Sequence, residues 1–158
     1  MNLDPGTAER YLRHAFGQML VVADRLGDEL VNVRPHGEST NAVAALVIHS
    51  CGVAEFWLGH VALGRASDRD RAAEFSSTAT VAELHELVGA TLARAAGDLA
   101  ALEAGQGVDS EGRRHLLDGD TSDASVVVHM IEEAYQHLGH MELAADALLA
   151  DQPPAAAS

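Results

Sequence analysis

The chain has 158 residues, of which 24 are Asp or Glu and 10 are Lys or Arg, so its net charge is −14 with neutral histidines. A chain this acidic repels phosphate backbones and anionic lipid, which argues against nucleic-acid and membrane-surface partners. The length suggests one domain with a core that needs no staple, and the single cysteine excludes an intrachain disulfide and a cysteine-based zinc cluster.

Four stretches carry helical periodicity. The first runs from about Asp4 to Leu30, with Asp4 as N-cap, Pro5 at the first helical position, and a stripe of Leu12, Ala15, Met19, Ala23, Leu26 and Leu30 widened by Phe16 and Leu20. The second runs from about Asn41 to Leu63, after a break at Arg34-Pro35-His36-Gly37, with Ser39, Thr40 or Asn41 as candidate caps. The third, from about Val81 to Leu102, opens on a capping-box spacing, Thr80 to Glu83, and carries Leu84, Val88, Leu92, Ala95 and Leu99 on one face. The fourth runs from about Asp123 to Ala150 behind Thr121-Ser122-Asp123. No strand is predicted, so the fold class is all-α, and four such helices suit a four-helix bundle over residues 1–150 with a frayed tail at 151–158. The connections Gly64–Ala79 and Ala104–Asp120 exceed the ~2–8 residues that antiparallel neighbours need, so at least one is a crossover or flanks a site. No charge-free apolar run of ~18 residues appears, and the N-terminus lacks a basic start followed by an apolar stretch. Both points lead us to expect a cytoplasmic protein without a transmembrane helix.

Nine histidines are many for this length, and helix four gathers several of them. At about 100° per residue, His129, Glu133, His137 and His140 share an arc of roughly 80°. Glu133 and His137, at i and i+4, can grip one ion, and a carboxylate with a neutral imidazole suits Zn, Ni, Fe or Mn. On helix two, His49 lies with Ala42, Ala45, Leu46, Val53 and Phe56 on the inward face, where an unpaired polar group is costly. Such a histidine is more often a satisfied core residue than a ligand. An inward His facing an inward Glu/His pair is a less common arrangement and is how bundles build metal sites. His60 shares the His49 face but lies ~16 Å further along the axis, so it is expected to hydrogen-bond at the far end. His14 is expected to be exposed, His85 sits at the edge of its stripe, and His36 and His115 fall in loops. Cys51 points away from His49 and reads as a packing residue, while Phe56 and Trp57 read as core or dimer-face aromatics.

Several segments resemble the DinB-like superfamily, in particular its actinobacterial branch related to mycothiol-dependent maleylpyruvate isomerase and the mycothiol S-transferases. They are Asn32-Val33-Arg34-Pro35, Asn41, the run Leu46 to Trp57 around His49, Gly64-Arg65, Arg69-Asp70-Arg71, Glu74-Phe75, His129 to Glu133, and His137-Leu138-Gly139-His140. The resemblance implies a four-helix bundle running up-down-down-up, with a long crossover between helices two and three. It also implies a metal triad of one His from helix two and two ligands at i and i+4 on helix four. His49 matches the first ligand and His137 the last. The middle position is His in many members and Glu in the mycothiol branch, and here it is Glu133.

Two imidazoles and one carboxylate leave positions open on an ion, as a catalytic site requires. Zn2+ is the expected metal, with Ni2+ or Fe2+ as alternatives. A thiol losing its proton at such a site becomes a nucleophile, which points to a thiol S-transferase with mycothiol as co-substrate, an electrophilic small molecule as acceptor, and His140 or His129 receiving the proton. The alternatives are a metal-dependent hydrolase, working through a water of lowered pKa, and a non-catalytic metal-containing bundle that binds a ligand. A homodimer is also expected, with Tyr11 or Trp57 as the only supporting aromatics.

Overall fold

A computed structural model of the protein describes residues 3–150. Among them no strand forms; the elements are α1 (Pro5–Leu30), α2 (Val43–Ala54) continued by a π-helical segment (Glu55–Ala62), a short α3 (Arg71–Glu74), α4 (Val81–Glu103) and α5 (Asp123–Ala150), with 3-10 turns at Gly37–Ser39, Glu111–His115 and Leu117–Gly119. The expected tail at 151–158 lies outside the described residues.

Local chemistry sets most of these boundaries. Asp4 accepts from the Thr7 backbone N–H at 2.7 Å, with Pro5 in the first turn of α1. Thr80 and Glu83 close a reciprocal capping box at the start of α4, and Ser122 accepts from Ser125 N at 3.1 Å at the start of α5. The expected side-chain cap of α2 does not form. Ala42 is its N-cap; Thr40 and Ser39 bond within the preceding turn, and the Ala44 N–H of the first helical turn finds the Val31 carbonyl at 2.9 Å. A backbone acceptor just past the end of α1 satisfies a donor that a Ser or Asn would otherwise have served.

Each long helix packs on two others, α1 and α2 each against both α4 and α5. His14 meets Tyr135 and Arg25 meets Asp146, so partners on α1 and α5 ascend together. Asp24 meets His85 and Asp28 meets Val81, so α1 and α4 run oppositely. Glu55 pairs with Arg94 and Arg65 with Asp98, an ascending register between the α2 region and α4, whereas His49 with His137 and Trp57 with His129 descend. The core between the helices holds Phe16, Leu46, Leu58, Leu84, Met130 and Met141, each fully buried and each worth about 1.5–3 kcal/mol in transfer free energy. By length and composition the stretch Gly37–Ala62 is apolar enough to cross a membrane, although Glu55 leaves it no charge-free run of 18 residues, and 72% of its most apolar 18-residue window is buried inside the protein. Its apolarity is that of a helix surrounded by other helices.

Gly27 takes φ 62 and ψ 179 inside α1, a conformation essentially restricted to glycine. Gly27→Ala is expected to cost about 1–3 kcal/mol. Gly89 is exposed on α4 with nothing within 4 Å of a built Cβ, so Gly89→Ala is expected to stabilise by about 0.5–1 kcal/mol. Urea denaturation of the two variants checks both signs.

Candidate functional site

α2 carries His49 into the core, where its residue is 2% exposed. A buried imidazole needs a partner, and the segment between α2 and α4 supplies one. Glu74, itself 9% exposed, accepts from His49 Nδ1 at 2.7 Å. Arg69 holds that carboxylate with two bonds, Nε to Oε1 at 2.6 Å and Nη2 to Oε2 at 2.8 Å. Asp70 caps α3 by accepting from Ala72 and Ala73 N–H, which sets Glu74 at the end of that single turn. Phe75 covers the His49 ring at 4.4 Å between centroids. Sequence reasoning missed the role of Glu74 and Arg69. The available signal was the inward His49, which demanded an acceptor that no helix-two neighbour could provide.

On α5, Glu133 and His137 stand as the i, i+4 spacing requires, His137 Nε2 lying 3.6 Å from Glu133 Oε2. The His137 ring meets the His49 ring edge-on at 4.7 Å. His129 approaches Glu133 Oε1 at 4.0 Å and Glu132 Oε2 at 3.6 Å. His49, Glu133, His137 and His129 are thus neighbours, whereas His140 is exposed and makes no hydrogen bond or ion pair among the described residues. Two donors of one tetrahedral ion with bonds of ~2.1 Å stand about 3.4 Å apart, close to the Glu133–His137 spacing. Both histidines are pushed below their ordinary pKa, chiefly by burial, so they are neutral imidazoles with a lone pair to offer. The donor chemistry fits a divalent ion, although among the described residues no three His, Cys, Asp or Glu side chains already stand in ligating geometry.

The π-helical segment re-aims the aromatics. At α-helical pitch Phe56 falls on the His49 face. The wider turn beginning at Glu55 advances the chain by about one residue per turn relative to an α-helix. Trp57 therefore takes the inward place, half-buried against His129 at 4.4 Å. Phe56 turns instead toward Arg69, whose guanidinium lies 5.6 Å from the ring centroid, and toward His60. His60 makes its far-end bond to the Arg65 carbonyl, 2.6 Å away. His14 is exposed, bonded to the Tyr135 hydroxyl, and His85 pairs with Asp24. His36 and His115 stay at exposed turns, and Cys51 is buried with its thiol pushed up to about 12 by burial, which removes it as a nucleophile.

A cleft of about 370 Å3 opens beside Glu74, lined by Gly52, Phe56, Arg65, Arg69 and Arg94. The Gly64–Ala79 connection therefore shapes this cleft, as expected, but Ala104–Asp120 contributes nothing to it and packs on the end of the π segment instead. A second cavity of about 540 Å3, lined by Leu3, Ala8, Leu99, Leu102, Ser122 and Val127, lies at another end of the helices, away from the histidine cluster.

Acid titration follows from these environments. Burial alone would raise the Glu74 carboxyl, but Arg69 and His49 outweigh it and hold it below 4.5. His49 and His137 are held below 6.5. For each of these groups the unfolded chain binds more protons over the shifted window, so stability rises with pH there. Thermal melts of metal-free protein are expected to be flat from pH ~6.5 to ~8, to fall as pH drops below that range, and to fall further below ~4.5.

The family model described as Mycothiol-S-transferase matches residues 7–148. No curated protein and no solved structure matches the chain.

Proposed function

We propose a function from one premise: the chain belongs to the mycothiol-S-transferase family. It transfers a mycothiol-type low-molecular-weight thiol to an electrophilic small molecule, in a metal-dependent reaction, on an up-down-down-up four-helix bundle. The pairing registers support that topology: the shared direction of the α2 region and α4 requires the crossover through α3, and α5 then returns beside α1 in α1's own direction. His49, Glu133 and His137 would hold the ion, Zn2+ first and Ni2+ or Fe2+ as alternatives. When bound, it supplies a positive charge that lowers the pKa of an incoming thiol.

The observation that carries the reading is the edge-on His49–His137 pair with Glu133 beside it. We assign the thiol proton to His129 rather than His140, because His129 stands beside Glu133 and packs edge-on against Trp57. The sulfur forms a bond to the electrophilic carbon, the thiol proton goes to His129, and the carbon's leaving group, or its opened epoxide oxygen, takes the electron pair. The reading carries with it a cytoplasmic homodimer, for which the exposed Tyr11 and the half-buried Trp57 are the aromatic support.

Elemental analysis of untagged protein beside Glu133→Ala tests it. About one metal per chain in the parent, little in the variant, and turnover that requires added thiol are expected. Turnover without thiol would favour a hydrolase. Parent protein that takes up no metal on titration would leave His49, Glu133 and His137 as a polar core cluster.

A further inference from the structure

We infer that Glu74 is a positioning residue for His49 and that it reaches His49 only because residue 52 is glycine, an inference that rests on the metal-assisted reading of the site. The Glu74 carboxylate comes from α3 and must lie against α2 to reach Nδ1 of His49. A Cβ built on Gly52 would overlap Glu74 Oε1, and it would stand 3.0 Å from Glu74 Cδ and 3.2 Å from Arg69 Nε. The obstructed atoms cannot simply swing aside. Oε1 is held by Arg69 Nε, Oε2 by His49 and by Arg69 Nη2, and Arg69 is itself stacked over Phe56. Any side chain at position 52 must therefore break part of this arrangement. Glycine inside a helix is otherwise unfavourable, so its presence here calls for a local reason, and the carboxylate supplies one.

The consequence for His49 is a fixed tautomer. A carboxylate only accepts, so Nδ1 carries the proton and the free lone pair is on Nε2. The outer hydrogen bond also fixes the ring's rotation, which raises the quality of Nε2 as a ligand. Arg69 in turn keeps Glu74 ionised and stationary, acting on His49 through it.

The test uses Gly52→Ala, Glu74→Ala, the double variant, and Gly89→Ala as a helix-glycine control. The two readouts are nitrogen-resolved NMR of the metal-free histidine side chains and Zn2+ affinity by chelator competition. The parent is expected to show the Nδ1–H tautomer at His49. Each single variant is expected to lose that tautomer preference and to bind Zn2+ about 10–100-fold more weakly. The double variant is expected to be no weaker than Glu74→Ala alone, because Gly52 acts through Glu74. An unchanged tautomer in Gly52→Ala, or losses that multiply in the double variant, would overturn the inference. If Gly52→Ala does not fold, Glu74→Ala alone decides, and an unchanged tautomer there overturns it. If the parent binds no Zn2+ but the tautomer shifts as described, the positioning role stands and the metal reading alone fails.

Discussion

His137→Ala is expected to lower thiol-transfer kcat/KM by at least ~100-fold while leaving the protein folded. The size follows from position: loss of partners one layer outside a metal ligand already costs ~10–100-fold, and His137 is proposed as a ligand itself. Its side chain is 19% exposed, and its Nε2 lies 3.6 Å from Glu133, too far for a hydrogen bond that the fold depends on. Removing it vacates a partly exposed site beside the His49 ring and leaves no charged group unpaired, because burial keeps the imidazole neutral. The stability cost should therefore be on the order of 1 kcal/mol. His49→Ala is a poorer probe, because it would open a cavity in the core and remove one partner of the buried Glu74 carboxylate, confounding activity with folding. Steady-state kinetics with saturating thiol, beside a thermal melt, separate the two effects. A variant within threefold of the parent would place His137 outside the machinery.

What could be read from the sequence divides along physical lines. The α1 and α4 stripes and their caps were legible because caps and periodicity act within one or two turns; Thr80 and Glu83 need nothing distant to find each other. Glu133 and His137 were legible for the same reason, being on one helix face. Glu74 was not, since its partner is 25 residues away and the contact depends on how a connection folds back over α2. Phe56 left the His49 face on which periodicity placed it because periodicity assumes one pitch, and the π segment changes pitch at Glu55. The expected cap of α2 failed for a third reason: Val31, on another element, offered its carbonyl first. Two of these misses trace to a contact between elements and one to a change of pitch within a helix.

Arg113 is the clearest case of such a contact, and Arg113→Met is expected to cost ~3 kcal/mol. Nothing in a charged loop of the sequence marks this arginine, yet it is 4% exposed. Its Nη1 donates to the Thr121 carbonyl at 2.7 Å, and its Nη2 donates to the Ala62 carbonyl at 3.1 Å and to Asp123 Oδ1 at 2.6 Å. The Ala62 carbonyl belongs to the end of the π segment, where acceptors lack helical partners and positive charge is favoured. Asp123 stands in the first turn of α5, where negative charge is favoured. The guanidinium thus joins the end of one helix to the start of another, and Val108 N and Ser110 Oγ reinforce the seam on Ala62 and Val61. Breaking a buried pair by removing one partner costs ~3–5 kcal/mol. The Asp123 side chain is 40% exposed and can rehydrate, which places this case at the lower end. At ~2–4 °C per kcal/mol for a chain this size, the Tm should fall by roughly 6–12 °C. Asp123→Asn, which leaves the two carbonyl bonds in place, should lose much less. Neither change touches the histidine cluster, so kcat/KM measured well below the melting range should match the parent. A Tm shift under about 2 °C would show that the seam holds through its backbone bonds alone.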